Sequence, residues 1–149
     1  MTGNRVTNNS NREVRQRFVL VVDDEKRIAD TLAAILESKG YESRAAYNGA
    51  TALEACHARI PDLLITDVVM PGMSGIELGI AVKREYSRCH ILLFSGQAAT
   101  AQMLEDAEAR GHRFELLAKP VHPSLLLERV EQLIGAPVAM AETTTRPAS

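Results

Sequence analysis

The chain has 149 residues, with 17 Lys+Arg against 19 Asp+Glu, a formal net charge of −2, 46% apolar residues and 24% charged ones. That length favours one domain of ordinary globular composition, large enough to bury a core without disulfide or metal staples. No basic excess marks a nucleic-acid binder, and the longest apolar run is five residues, far below the ~20 needed to cross a bilayer.

Residues 1–17 are polar and Asn-rich, carry Arg5, Arg12, Arg15 and Arg17 against Glu13, and contain no apolar stretch that could form a signal-peptide core. They read as a tail, and a cytoplasmic location is expected. Phe18–Val22 is a Val-rich apolar run, the signature of a parallel strand covered on both faces. Glu25–Lys39 then places Ile28, Ala29, Leu32, Ile35 and Leu36 on one helical face, with acidic residues at its start and Lys39-Gly40 at its end. Tyr41–Ala46 reads as a second strand, and Asn48-Gly49 precedes a small-residue helix over about 50–59. Pro61 ends that helix before a third strand, Leu63–Thr66. Ser74 suits the N-cap of a helix running to about Glu85. His90–Phe94 is a fourth strand, followed by an Ala-rich helix over about 98–110 that Gly111 ends. Phe114–Ala118 is a fifth strand, and Pro123 opens a last helix in which Leu126, Val130 and Leu133 share a face. Residues 136–149 show no periodicity and read as a second tail, leaving an ordered domain over 18–135. Alternating strands and helices predict a doubly wound α/β fold with a parallel sheet.

Such sheets bind ligands beyond the carboxyl ends of their strands. Asp23, Asp24 and Glu25 follow the first strand, Asp67 the third, Ser95-Gly96 the fourth and Lys119-Pro120 the fifth. Taken singly, each has a plain reading: Asp23-Asp24 as helix caps, Asp67 and Ser95 as turn residues, Lys119 as a solvated cation. Together they place several carboxylates in one crevice. Two unit charges ~4 Å apart interact by about 4 kcal/mol at an effective dielectric of 20, so the group calls for positive charge. A hard divalent cation with oxygen ligands supplies it, and Mg²⁺ leaves coordination positions for phosphate oxygens. Lys119 and Ser95 add an ammonium and a hydroxyl for the remaining phosphate oxygens. Cys56-His57 and Cys89-His90 are the other chemically suggestive pairs, but they lack the short paired spacings of a zinc site and read as core cysteines.

The segments VLVVDDE (19–25), DLLITDVVMPGMSG (62–75), LLFSG (92–96) and LLAKP (116–120) resemble the receiver domain of two-component response regulators, of the chemotaxis-regulator kind. The resemblance spans about 18–135. It implies a flavodoxin-like five-stranded sheet of order 2-1-3-4-5 with five flanking helices. It implies Asp67 as phosphoacceptor, attacking the phosphoryl group of a kinase histidine. Asp24, Asp67 and the Val69 backbone carbonyl would ligate Mg²⁺, with Asp23 acting through a water. Lys119 would pair with the phosphoryl oxygens, Ser95 would bond one of them, Gly96 would leave room beside Asp67, and Pro120 would follow a cis peptide.

The implied partners are a sensor histidine kinase or phosphotransfer protein and a downstream protein target. Direct contact with nucleic acid or membrane is not implied, and homodimerisation stays open. About 14 residues follow the last helix, too few for a helix-turn-helix, so a stand-alone phosphorylation-controlled binding module, not an enzyme, is expected; a truncated gene would read the same way. Two features depart from the family: Ser95 stands where Thr is common, and Leu116 stands where an aromatic ring usually reports phosphorylation, a role not assigned to Phe114 two residues before it. Switching would then fall to a helix-four or loop rearrangement driven by Ser95. Val69 and Gln97 occupy positions that steer hydrolytic water, and an apolar Val69 implies slow self-dephosphorylation. Two alternatives differ in class. A phosphatase of the haloacid dehalogenase type also uses Asp, Mg²⁺, Ser/Thr and Lys, but places DxD after its first strand and carries a cap domain. A pseudo-receiver scaffold would keep the fold without the chemistry.

Overall fold

Every residue of strand β1 (Phe18–Val22) is buried, as a strand covered on both faces requires. The computed structural model describes residues 16–96 and 100–138. After β1 come α1 (Lys26–Ser38), β2 (Glu42–Ala46), α2 (Gly49–Ala58), β3 (Leu63–Asp67) and α3 (Gly75–Glu85). β4 (His90–Ser95), α4 (Thr100–Ala109), β5 (Glu115–Ala118) and α5 (Pro123–Ile134) complete the order. All strand pairs are parallel, in the sheet order β2-β1-β3-β4-β5, which is the flavodoxin-like doubly wound arrangement.

Alternation along the strands divides the core in two. Leu20 and Val22 face one layer with Ala52 and Cys56 of α2, Ile76, Leu78 and Val82 of α3, and Ala107 of α4. Val19 and Val21 face the other with Leu32 and Leu36 of α1, Ile65, Phe94, and Leu126 and Val130 of α5. Both faces of the sheet are therefore packed, and the strand ends are where polar chemistry finds room. Register decides which ends meet: Val22 pairs with Thr66, Asp67 with Phe94, and Ser95 with Ala118. The residues just past β1 and β5 are thus brought beside the last residues of β3 and β4.

Helix ends follow their local chemistry. Gly40, at φ 108°, closes α1: its N–H donates to Glu37 O and the Tyr41 N–H to Leu36 O. Ser74 and Glu77 form a reciprocal capping box at the start of α3. Pro123 occupies the first turn of α5 behind His122.

Several boundaries differ from the sequence reading. α1 starts at Lys26 with no acidic residue in its first turn, because Asp23 and Asp24 belong to the loop before it. Tyr41 falls outside β2; its backbone completes the α1 cap and its hydroxyl donates to Gly135 O. Gln16 and Arg17 were expected in a tail, yet Gln16 donates to Gly40 O and Arg17 to Ile134 O at the end of α5. Phe114 precedes β5, and its ring packs so near α3 that a Cβ at Gly79 would stand 3.2 Å from it. Residues 1–15 and 139–149, Gln97 and the expected start of the fourth helix at 98 lie outside the described residues.

The start of α3 is pressed against the end of β3. The Gly75 N–H donates to Val68 O at 2.8 Å, and a Cβ at Gly75 would lie 1.9 Å from Asp67 O. Gly75→Ala should therefore destabilise the fold near the upper end of the about 1–3 kcal/mol typical of overpacking. Urea unfolding would show this as a lower midpoint; an unchanged midpoint would mean the helix start is not held against Asp67 as described.

Candidate functional site

Asp23 is fully buried one residue past β1, and both its carboxylate oxygens are engaged. Oδ1 accepts the Glu25 N–H at 2.9 Å, and Oδ2 accepts from Lys119 Nζ at 3.1 Å. Asp67, the last residue of β3, is 7% exposed. Its Oδ1 accepts the Val68 N–H at 2.9 Å and lies 3.5 Å from Lys119 Nζ. The Thr66 hydroxyl donates to the Asp67 backbone carbonyl. Asp24 is exposed. Carboxylate oxygens of Asp23, Asp24 and Asp67 all lie within 4.8 Å of one another, the one such acidic, His or Cys cluster among the described residues.

Lys119 reaches this cluster from just past the end of β5, immediately before a cis Lys119–Pro120 peptide, with its ammonium 4.7 Å over the Phe94 ring. Burial pulls its pKa down, but the hydrogen bond to Asp23 and the charges of Asp23 and Asp67 outweigh this and hold it above its ordinary value. The Asp67 carboxyl is pushed above the usual carboxylate range, first by burial and then by the charge of Asp23; Lys119 and the Val68 N–H offset part of this. Three carboxylates face one ammonium, which leaves the deficit that a single divalent cation satisfies. The donors are all hard oxygens, the ligand class Mg²⁺ takes, so the residues present fit that ion. Asp23, with both oxygens already bonded, is placed to act on a cation indirectly.

Above the cluster opens a cleft of about 890 Å³ lined by Asp24, Glu25, Asp67, Val69, Lys119 and Gly96, among others. Val69 is 37% exposed at this cleft. Gly96 keeps the cleft open by clearing Lys119: a Cβ there would stand 3.3 Å from Lys119 Cβ. Ser95 is 6% exposed, and its hydroxyl shares a 2.6 Å hydrogen bond with Thr100 at the start of α4. Thr100 was not singled out from sequence, because nothing in the Ala-rich run announces which of its residues α4 turns inward. Leu116 is 37% exposed on β5 and makes no part of the cluster. The Cys56 and Cys89 thiols are buried and free, their pKa values raised by burial to about 11 and about 12; His57, whose Nδ1 meets the Tyr86 hydroxyl, and His90 are exposed, so the cysteines are core residues and the pairs do not converge on a site.

A sequence model of the response regulator receiver domain matches residues 19–131. The chain belongs to that family. Solved structures similar to this receiver include the chemotaxis response regulator CheY4 of Vibrio cholerae, at 30% identity and TM-score 0.70, covering 80% of this chain and 99% of that one. The receiver domain of NtrX from Brucella abortus is 30% identical, with TM-score 0.69, covering 78% of this chain and 97% of that one. The response regulator TrrA from Thermotoga maritima, solved in complex with Mg²⁺-BeF, is 31% identical, with TM-score 0.69, covering 79% and 99%. No described helix of this receiver is long and apolar enough to cross a membrane.

The raised Asp67 carboxyl carries a sign for stability. Its folded-state value lies above the unfolded one, so the stability it contributes is present at low pH and lost as pH rises through that window. At neutral pH the ionised Asp67 burdens the metal-free fold. Asp67→Asn should raise the melting midpoint in chelator at pH 7 by a few degrees, with the gain shrinking as pH falls through the raised carboxyl value and gone below about pH 4. Equal midpoints at pH 7 would contradict the described crowding.

Proposed function

We propose that this receiver accepts a phosphoryl group on Asp67 from the phosphohistidine of a sensor kinase or phosphotransfer protein, and signals through altered binding to a downstream protein. The observation that carries the reading is the buried Asp23–Lys119–Asp67 arrangement, with the ammonium 3.1 Å from one carboxylate and 3.5 Å from the other. Asp67 Oδ1 is held by Val68 and Lys119, and no described residue hydrogen-bonds Oδ2. Oδ2 is therefore the nucleophile: it forms the new P–O bond as the P–N bond to imidazole breaks, and the imidazole leaves with the electron pair.

Mg²⁺ held by Asp24, Asp67 and the Val69 carbonyl, with Asp23 acting through a water, would draw charge from the transferring phosphoryl oxygens. Lys119 would neutralise a further oxygen, and the Ser95 hydroxyl at the end of β4 would donate to another. An apolar groove of about 520 Å³, lined by Ile28, Leu32, Phe94, Pro120 and Val121, shares Lys119 with the cleft and offers the donor apolar surface to bury beside the acceptor. The receiver is a switchable binding module and not a turnover enzyme: Val69, two residues past Asp67, supplies no acid or base to expel phosphate. This favours slow loss of the phosphoryl group.

Incubated with Mg²⁺ and acetyl phosphate, the protein should gain one base-labile phosphoryl group. Chelator or Asp67→Asn should abolish the gain, and Lys119→Ala should slow it by about 10²–10³-fold. Val69→Asn should shorten the lifetime of the phosphorylated form. An unmodified wild type, or an Asp67→Asn variant modified equally well, would overturn the assignment. Multiple turnovers of p-nitrophenyl phosphate would favour a hydrolase instead.

A further inference from the structure

The start of α1 has no side-chain cap, yet it carries the loop that presents Asp24. Glu25 stands at the N-cap position without a side-chain hydrogen bond, and no acidic residue lies in the first turn. The loop before the helix is tied through Asp23: its N–H donates to Ala46 O at 3.2 Å, and its Oδ1 accepts the Glu25 N–H. Asp24 lies between these contacts, exposed, with a carboxylate oxygen within 4.8 Å of those of Asp23 and Asp67. Like charges that close push apart, so an uncapped helix start needs a hold from outside. Tyr47 supplies it. It follows Ala46, the last residue of β2, and precedes Asn48, whose side chain caps α2, so its backbone is fixed from both sides. Its hydroxyl donates to Asp30 Oδ1 at 2.6 Å, and the Lys26 ammonium stands 4.9 Å over its ring. One side chain therefore grips the first two turns of α1.

We propose that Tyr47 is a positioning residue for the metal: by clasping Asp30 and Lys26 it fixes the first turns of α1 against the end of β2, and so holds Asp24 toward Asp67 for Mg²⁺. This rests on the Mg²⁺ and phosphoacceptor reading above. A hydrogen bond to a carboxylate is among the stronger ones a side chain makes, so the Tyr47–Asp30 contact is able to resist the repulsion among the acidic groups. Lys26 stands at the helix end where a cation is disfavoured, and the electron-rich face of the Tyr47 ring offsets this. The clasp acts through geometry, because Tyr47 carries no charge into the cluster. Tyr47 and Ile28 of α1 pack side by side on the same core layer, and a phenylalanine would fill that space equally well. Packing alone therefore does not call for a tyrosine; the hydroxyl does, through Asp30.

The test titrates Mg²⁺ alone, by calorimetry, into wild type, Tyr47→Phe, Asp30→Asn, Asp30→Ala and the Tyr47→Phe/Asp30→Ala double variant. Amide hydrogen exchange is followed in the metal-free proteins at Glu25, Ile28 and Ala29, whose N–H groups are bonded within the loop and first turn. Losing the hydroxyl in Tyr47→Phe should weaken Mg²⁺ binding about two- to tenfold and speed exchange at these three amides. Asp30→Asn keeps an acceptor oxygen and should stay within about twofold of wild type. Asp30→Ala should fall as Tyr47→Phe does, and the double variant should fall no further, since both changes break one contact. If wild type binds Mg²⁺ and Tyr47→Phe matches it, the clasp is overturned while the metal and phosphoacceptor readings stand. Asp30→Asn as weak as Asp30→Ala also overturns it, because the charge of Asp30 would then be the cause. If wild type binds Mg²⁺ no better than Asp67→Asn, both readings fall together.

Discussion

The Lys119 ammonium between Asp23 and Asp67 is the contact on which the rest of this molecule depends. A buried carboxylate without a partner is expensive, and Asp23 is fully buried. Lys119 answers Asp23 at 3.1 Å and reaches Asp67 at 3.5 Å, but it carries one charge where three carboxylates converge. The site is therefore compensated only in part. That shortfall keeps the Asp67 carboxyl basic for its type and leaves a charge deficit that a divalent cation fits; in the function proposed here, the same carboxylate is the nucleophile.

The fold supplies the placement. Parallel pairing of β1, β3, β4 and β5 brings their carboxyl ends to one edge, and the packed helices on both faces leave that edge as the opening. The sheet centre is rigid, with β1 and β3 buried along their whole length. α4 contrasts with it, since two of its residues are buried. α4 meets the site through the hydrogen bond between the Ser95 and Thr100 hydroxyls.

Much of this was legible in the chain. The apolar run Phe18–Val22 and the one-sided periodicity of the segment after it announce a parallel strand and its crossover helix, because burial on two faces leaves no polar position in such a strand. Asp23, Asp24, Asp67 and Lys119 were legible as a group, since strand ends in a doubly wound sheet converge whatever the loops do. Tyr41 and Arg17 were not: each caps the end of α5, more than ninety residues away in sequence, and no local pattern encodes that meeting. Ser95 was legible as a hydroxyl at a strand end, but its resting partner Thr100 depends on how a weakly amphipathic helix docks. Phe114 looked like part of β5, yet the space above Gly79 draws its ring under α3.

The most direct measurement is calorimetric titration of Mg²⁺ into the metal-free protein and into Lys119→Met. If the ammonium and the dication answer the same carboxylates, removing the ammonium deepens the negative potential, and Mg²⁺ should bind at least about tenfold more tightly to Lys119→Met. Equal or weaker binding would contradict the account, because the carboxylates would then not share their compensation between the lysine and the metal.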